Sequence, residues 1–302
     1  MRILLTGASG HIGSAVIPEL LASGHEVVGL ARSDASAATL TTLGATVHRG
    51  DLDDLDGLKA AAASSDGVIH LAFKHDEQRS GNLAGAVAAD LAVVHALGDA
   101  LAGTGKPLVA ASPTTLPAMA GHTATLTEDD ATPSHVPRGE AENAVIGFAA
   151  RGVRSSIVRI PPITHSPLDR QGFARVLVGI ARQTGVAGYP GDGANRWPAG
   201  HTLDVGHLFC MALEKAPAGS RLHAVGDEGI PTREIAQSIA DRLGLQSASI
   251  SHDQLETHFG FLAMLIALDN PTSNLVTRRV LGWEPTHPGL ISDFDHGDYF
   301  TQ

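Results

Sequence analysis

A short apolar run that breaks into closely spaced glycines and then into an alanine-rich stretch leaves a chain few folds to adopt. Residues 2–16, RILLTGASGHIGSAV, have this form. RILLT has the length and branching of a buried strand, and Gly7, Gly10 and Gly13 follow it at G-x-x-G-x-x-G spacing. Glycines so placed permit a tight turn, let backbone approach a pyrophosphate closely, and let helix pack on strand. The start of the helix adds amide donors and a partial positive charge. The expectation is a dinucleotide site formed by Gly7, Ser9, Gly10, His11, Ile12 and Gly13.

The pattern continues along the chain. Strands are expected over 2–6, 26–31, 46–49, 67–72, 107–112 and 155–160, with helices near 11–24, 35–44, 54–63, 85–103 and 139–151. Continuous apolar strands alternating with helices indicate a parallel sheet covered on both faces. The fold class is therefore α/β, a Rossmann-type doubly wound sheet whose ligands lie beyond the carboxyl ends of its strands. After about Thr164 the texture changes, and THSPLDRQG and GYPGDGANRWPAGH read as long loops. Helices follow near 203–215, 231–243, 253–267 and 274–281. The expected division is a dinucleotide domain over 1–164, rejoined by 202–226, and a smaller, mostly helical substrate lobe over 165–201 and 227–302.

The end of the second strand bears on which dinucleotide is held. An NAD site places an acidic residue there for the ribose hydroxyls. Here Arg32 and Ser33 follow Ala31, a pair suited to a 2′-phosphate, so NADP(H) is the expected cofactor. Asp51, with Leu52 beside it, follows the third strand and faces the adenine in this scheme, while Ala72 leaves room for the cofactor after the fourth.

Other classes are disfavoured. A formal charge of −11 offers no basic face to a nucleic acid. One cysteine, Cys210, excludes an intramolecular disulfide. The 16 histidines show no tight metal spacing, so no metal site is expected. No uninterrupted apolar run reaches the roughly 18 residues of a membrane span, and MRILLTG is wrongly flanked for a signal peptide. A cytoplasmic protein without membrane or nucleic-acid partners is expected.

TGASGHIG, GDLDD, VIHLA, RIPPITH (159–165), GDGANRWPAGHTLDVGHLFCMALE and RRVLGWEPTHP together resemble the extended short-chain dehydrogenase/reductases, the epimerase/dehydratase-like family. The resemblance implies that the segment with Pro161 and Ile163 lines the nicotinamide. It also implies a Ser or Thr after the fifth strand and a Tyr-x-x-x-Lys pair on the next helix. Only Tyr189 and Tyr299 are present, and neither has a lysine four residues on. Counting back from ARGVRSSIVRI, the pair would fall near Arg138 and Glu142. The family's proton donor is missing.

Three routes remain open: a hydroxyl after the fifth strand, Ser112 or Thr114; Lys74 or His75 beyond the fourth; or a hydroxyl of the substrate itself. Phe73, His165, Arg196, Trp197 and His201 are the expected substrate contacts, with Trp197 suited to stacking on an aromatic ring. The tyrosine-less pattern also resembles ketoreductases that tailor aromatic polyketides, the angucyclinone 7-ketoreductases among them. That likeness implies NADPH and a flat polycyclic ketone as substrate. An epimerase or dehydratase, and a non-catalytic NADP sensor, are the competing readings.

Overall fold

The computed structural model describes residues 1–296 and 298–300. In the first half it has strands β1 (Arg2–Thr6), β2 (Glu26–Ala31), β3 (Thr46–Arg49), β4 (Gly67–His70), β5 (Pro107–Pro113) and β6 (Arg154–Ile160). The helices between them are α1 (His11–Ala22), α2 (Asp34–Thr42), α3 (Leu55–Ala63), α4 (His75–Arg79), α5 (Leu83–Leu101), α6 (Thr115–Met119) and α7 (Gly139–Gly147). Then come β7 (Ile163–His165), α8 (Phe173–Thr184), β8 (Val186–Pro190), β9 (Arg196–His201), α9 (Thr202–Lys215) and β10 (Ser220–His223). The remainder is β11 (Asp227–Pro231), α10 (Thr232–Leu243), β12 (Gln246–Ile250), α11 (Leu255–Phe259), α12 (Ala263–Ile266), α13 (Leu275–Leu281) and α14 (Leu290–His296).

Seven strands form one sheet in the order β10-β6-β5-β4-β1-β2-β3, and every neighbouring pair is parallel. Alternation of side chains across the sheet divides its core in two. Ile3, Leu5, Ile69, Val109 and Val158 meet α1 and α9 on one face, while Leu4, Val68, Leu108 and Ile157 meet α3, α5 and α7 on the other. This is the doubly wound α/β fold. Its chain order reverses between β4 and β1, which opens a crevice at their carboxyl ends.

α5 is long and apolar enough to cross a membrane by composition. Its face of Ala86, Asp90, Val93, Leu97 and Leu101 is buried, spaced as one stripe of a helix against the sheet. Asp90 is the anomaly in that stripe.

The second core packs α8 and α10 against Trp197, Ile163, Phe259 and Phe294. It contains more sheet than the loop reading of 164–201 anticipated. β7, β9 and β11 form a three-stranded sheet and β8 pairs with β12. β9, RWPAGH, conceals itself because Pro198 and Gly200 interrupt the apolar pattern. The partner strand shifts register opposite Pro198, where proline is tolerated. At Gly200 a Cβ would lie 2.5 Å from the Ala224 carbonyl oxygen. α8 was legible in principle, since Ala174, Leu177, Val178 and Ala181 share one face. Conversely, the single helix expected over 253–267 is broken, because Gly260 takes φ 55° between α11 and a 3-10 turn.

Candidate active site

The crevice begins with a backbone cradle. Gly7 has φ 68°, and a Cβ there would stand 2.8 Å from the amide nitrogen of Ala72. A Cβ at Gly13 would stand 2.4 Å from the Gly7 carbonyl oxygen, so only glycine lets α1 start this close to β1. Gly10 caps α1 with no side-chain hydrogen bond, and the first turn carries no acid. Ser9 and Gly10 are exposed and His11 and Ile12 half-buried at this opening. Exposed amides at a helix start, with no side chain filling the turn, fit the pyrophosphate of a dinucleotide. His11 Nε2 sits 2.7 Å from Thr202 Oγ1, tying the cradle to the start of α9.

At the ends of β2 and β3 lie the residues read for the adenosine. Arg32 is exposed and only loosely paired with Asp76, at 3.4 Å. Ser33 caps α2 in a reciprocal box with Ser36, so its hydroxyl already has a local partner. Asp51 Oδ1 accepts from the Asp53 amide in its own turn, and Leu52 is half-buried beside it. The parallel register sets Arg49 opposite Ala31, hence next to Arg32. Arg49, paired with Asp34, is a second cation at this corner that sequence reasoning missed.

Beyond β4 and β5 the site is made of side chains. Ser112 donates to Glu142 Oε2 at 2.6 Å. Glu142 also accepts from Thr132 at 2.8 Å, Arg159 at 2.7 Å and Arg221 at 3.2 Å. Burial pushes the Glu142 carboxyl up, but the Arg159 guanidinium and the two hydroxyls outweigh it and hold the group below its ordinary range. Thr114 is buried and accepts from Asn270 Nδ2 at 2.9 Å, which turns it toward the C-terminal segment. Lys74 is occupied by Asp53 at 2.7 Å and Glu77 at 2.8 Å. His75 stands edge-on to Phe73 with centroids 5.2 Å apart. Partial burial, then the nearby Arg138 charge, draw its pKa down.

Arg138 completes this end. It caps α7 in the left-handed conformation, φ 64°, and is the one non-glycine residue with positive φ among the described residues. Holding it there costs on the order of 1–3 kcal/mol, which the surroundings must repay. Its Nε donates to Asp90 at 3.0 Å, its Nη2 donates to the Ala111 carbonyl at 3.1 Å, and the guanidinium lies 4.4 Å over the Phe73 ring. Burial pushes Asp90 up, but Arg138 and His70 more than reverse this and keep it below the usual carboxylate range.

On the lobe side, Pro161 and Ile163 are buried. Trp197 corrects the stacking expectation. Its side chain is fully buried in the lobe core, 6.1 Å from the Phe173 ring, and has no surface left for a substrate. Arg196 is held by Asp269 at 2.8 Å and 3.1 Å, and its carbonyl accepts from the amide of Asn270, the residue that reaches Thr114. His165 is buried against Asp293 at 2.8 Å. His201 stacks on His287 at 4.5 Å and its Nδ1 accepts from the Leu203 amide. Burial, then the neighbouring His165, lower its pKa to about 4. His201, Asp204 and His287 come within metal-ligand reach of one another. Asp204 caps the Thr286–His287 turn through both oxygens and holds His287 Nδ1 at 2.7 Å, so the carboxylate acts as a clasp between α9 and that turn.

The family model for the NAD dependent epimerase/dehydratase family matches residues 3–225. The chain belongs to that family. An uncharacterized protein of Schizosaccharomyces pombe, C2A9.02, is 44% identical over 99% of this chain and 100% of its own length. The 2-alkyl-3-oxoalkanoate reductase of Stenotrophomonas maltophilia is 27% identical over 81% of this chain and 76% of its own. Among solved structures, the dTDP-glucose 4,6-dehydratase DesIV of Streptomyces venezuelae, with NAD and TYD bound, shares the fold. Its TM-score is 0.76 at 20% identity, covering 98% of this chain and 96% of its own.

Membership in the epimerase/dehydratase family supports a nicotinamide dinucleotide in the crevice, and the glycine cradle fits one. α7 of this family member carries neither tyrosine nor lysine. Tyr189 lies in β8, and Tyr299 is buried against Ser166 and Asp169; burial, then the Asp169 carboxylate, push its phenol up. The structure thus gathers Phe73, His75 and Ser112 with Arg138 near the ends of β4 and β5. Trp197 lies elsewhere, in the lobe core, and the Arg196 guanidinium is engaged by Asp269. Sequence reasoning located Arg138 without giving it a role and missed Asp90; the visible signal was a carboxylate on the apolar stripe of α5.

Proposed function

We propose that the protein is an NADPH-dependent ketoreductase that reduces a hydrophobic, polycyclic aromatic ketone without a catalytic tyrosine. The observation that carries this reading is the polar and aromatic cluster of Phe73, His75, Ser112 and Arg138, next along the chain or sheet from Ala72, which backs onto Gly7. A reduced nicotinamide, when bound, supplies hydride. The chain has to hold the carbonyl, shield it, and manage charge on its oxygen. Phe73 offers an aromatic face and His75 a polar contact, while Ser112, buried and donating to Glu142, keeps that carboxylate in place behind them. Arg32 and Arg49, adjacent at the ends of β2 and β3, favour the 2′-phosphate of NADP. Likeness to a 2-alkyl-3-oxoalkanoate reductase supports a ketone as the group acted on. The whole-chain fold likeness to a dTDP-glucose dehydratase favours a sugar-nucleotide epimerase or dehydratase as the second reading. The absence of tyrosine from α7 weighs against it, because those reactions also need a base there.

The test follows oxidation of NADPH and of NADH over 1-tetralone, 8-hydroxy-1-tetralone and ethyl 2-methyl-3-oxobutanoate. The expected outcome is turnover of at least one ketone, with NADPH preferred by about tenfold and the preference narrowed in Arg32→Ala, the effect of losing one charge-assisted contact of about 1.4 kcal/mol. Tight NADPH binding without turnover would instead favour the sensor, and conversion of a dTDP- or UDP-hexose the second reading.

A further inference from the structure

A carboxylate on the apolar stripe of a core helix needs a reason, and so does a strained arginine. Asp90 is only 2% exposed and Arg138 18% exposed, and each is the other's partner. They join a longer chain. Asp90 Oδ1 lies 3.3 Å from His70 Nε2, His70 Nδ1 lies 2.7 Å from Thr6 Oγ1, and the Ala72 amide donates to Thr6 Oγ1 at 3.3 Å. One assignment satisfies every member: Ala72 to Thr6, Thr6 to His70, His70 to an ionised Asp90, and Arg138 to the same carboxylate. The chain ends at Ala72, against the Gly7 cradle. A buried salt bridge is poor value for stability alone, and so is left-handed backbone at a non-glycine residue. Both make sense if the guanidinium must stand at one place.

We propose that Arg138 is the electrophile of this site, holding the carbonyl oxygen as it becomes negative, and that Asp90 is its positioning residue. This rests on the ketoreductase reading. Arginine has five N–H donors. Nε is turned to Asp90, Nη2 reaches the Ala111 carbonyl, and Phe73 covers one face of the plane. Three donors, two on Nη1 and one on Nη2, are left over from these contacts, and Ala111 adjoins Ser112. As the carbonyl carbon receives hydride and forms its C–H bond, the C=O π pair moves to oxygen. Arg138 stabilises that alkoxide by hydrogen bonds and ends the step charged, because any proton it lends to the oxygen is replaced at once from water. The alkoxide takes its proton from water, and the hydroxide left behind is neutralised by buffer. The ketone is reduced to the alcohol and the dinucleotide is oxidised. The division of labour differs from that of a tyrosine: charge stabilisation is separated from proton delivery.

The experiment uses Arg138→Ala, with the panel ketone that the wild-type protein reduces fastest, and adds guanidinium chloride at tens of millimolar. The expected result is a fall in kcat of about 100-fold, the scale for loss of one oxyanion donor, with the dissociation constant for NADPH, read by its fluorescence, unchanged. Guanidinium restores much of the lost rate, whereas urea and potassium chloride do not. Adding Asp90→Asn removes the rescue, because the anion that would seat the guanidinium is gone. If guanidinium raises the Tm of Arg138→Ala without restoring rate, Arg138 is structural and the proposal fails. Should Arg138→Ala not fold, Arg138→Lys keeps the charge opposite Asp90 and loses the planar fork, and wild-type kcat in that variant also overturns the proposal. A wild-type protein that turns over no ketone brings down the ketoreductase reading first, and the role of Arg138 with it.

Discussion

Around β1 and α1 the crevice consists of open space and backbone amides; around β5 and α7 it consists of long charged side chains drawn from distant segments. Gly7, Gly10 and Gly13 lie within seven residues of sequence. Arg138 and Asp90 are 48 residues apart, Ser112 and Glu142 are 30 apart, and Glu142 and Arg221 are 79 apart. The first region fails when an atom is added and the second when a charge is removed. A phosphate is bound well by fixed amides, which need only the right turn. A developing charge on a substrate oxygen needs an oriented donor, which a buried counter-ion can hold in place.

The largest expected effect breaks the charged region. Glu142→Ala leaves the fully buried Arg159 without its anion, and removing one partner of such a pair costs about 3–5 kcal/mol. Urea denaturation measures it, and a loss below about 1 kcal/mol, the range of an exposed pair, would mean that water enters and solvates Arg159.

Next comes the histidine clasp of the lobe. The pKa of His201 lies below its unfolded value of 6.5, at about 4. In that window the unfolded chain binds the proton and the folded one does not, so stability is full above pH 6.5 and is lost as pH falls toward 4. The loss from this group approaches about 3 kcal/mol. His223, buried beside Arg159 and lowered to about 3, adds loss of the same sign. Denaturation midpoints between pH 7 and pH 4.5 should therefore fall steeply, and His201→Phe should flatten the slope in part. An unchanged slope would show that His201 is charged in the clasp.

The smallest effect sharpens the cradle. Gly13→Val drives a side chain into the carbonyls of Gly7 and Ala8, where a Cβ would already lie within 2.4 Å and 2.5 Å. α1 must shift off β1, and NADPH affinity should weaken about 100-fold, or 2.7 kcal/mol. Normal affinity in a fluorescence titration would show that the close approach is dispensable.

The contrast also explains what could be read in advance. The strands expected over 2–6 and 26–31 are β1 and β2 to the residue, because a buried parallel strand announces itself as a local apolar run, and the expected 46–49 matches the half-exposed edge strand β3. β9 did not, since Pro198 and Gly200 answer to a register shift and to the Ala224 carbonyl, both remote in sequence. Trp197 suited an exposed aromatic contact as a residue type, yet its place in β9 turns it into the lobe core. Arg138 was found by counting but given no role, because its meaning depends on Asp90, a helix away.

The sequence by itself determined the doubly wound sheet and the glycine cradle, both consequences of short-range rules: apolar period, strand length, and the space a missing Cβ leaves. Tertiary structure alone decided which charges meet at the end of β5. Buried ionic groups are stable only in mutually satisfied sets, and membership of such a set is fixed by where the chain returns to, not by the residues on either side.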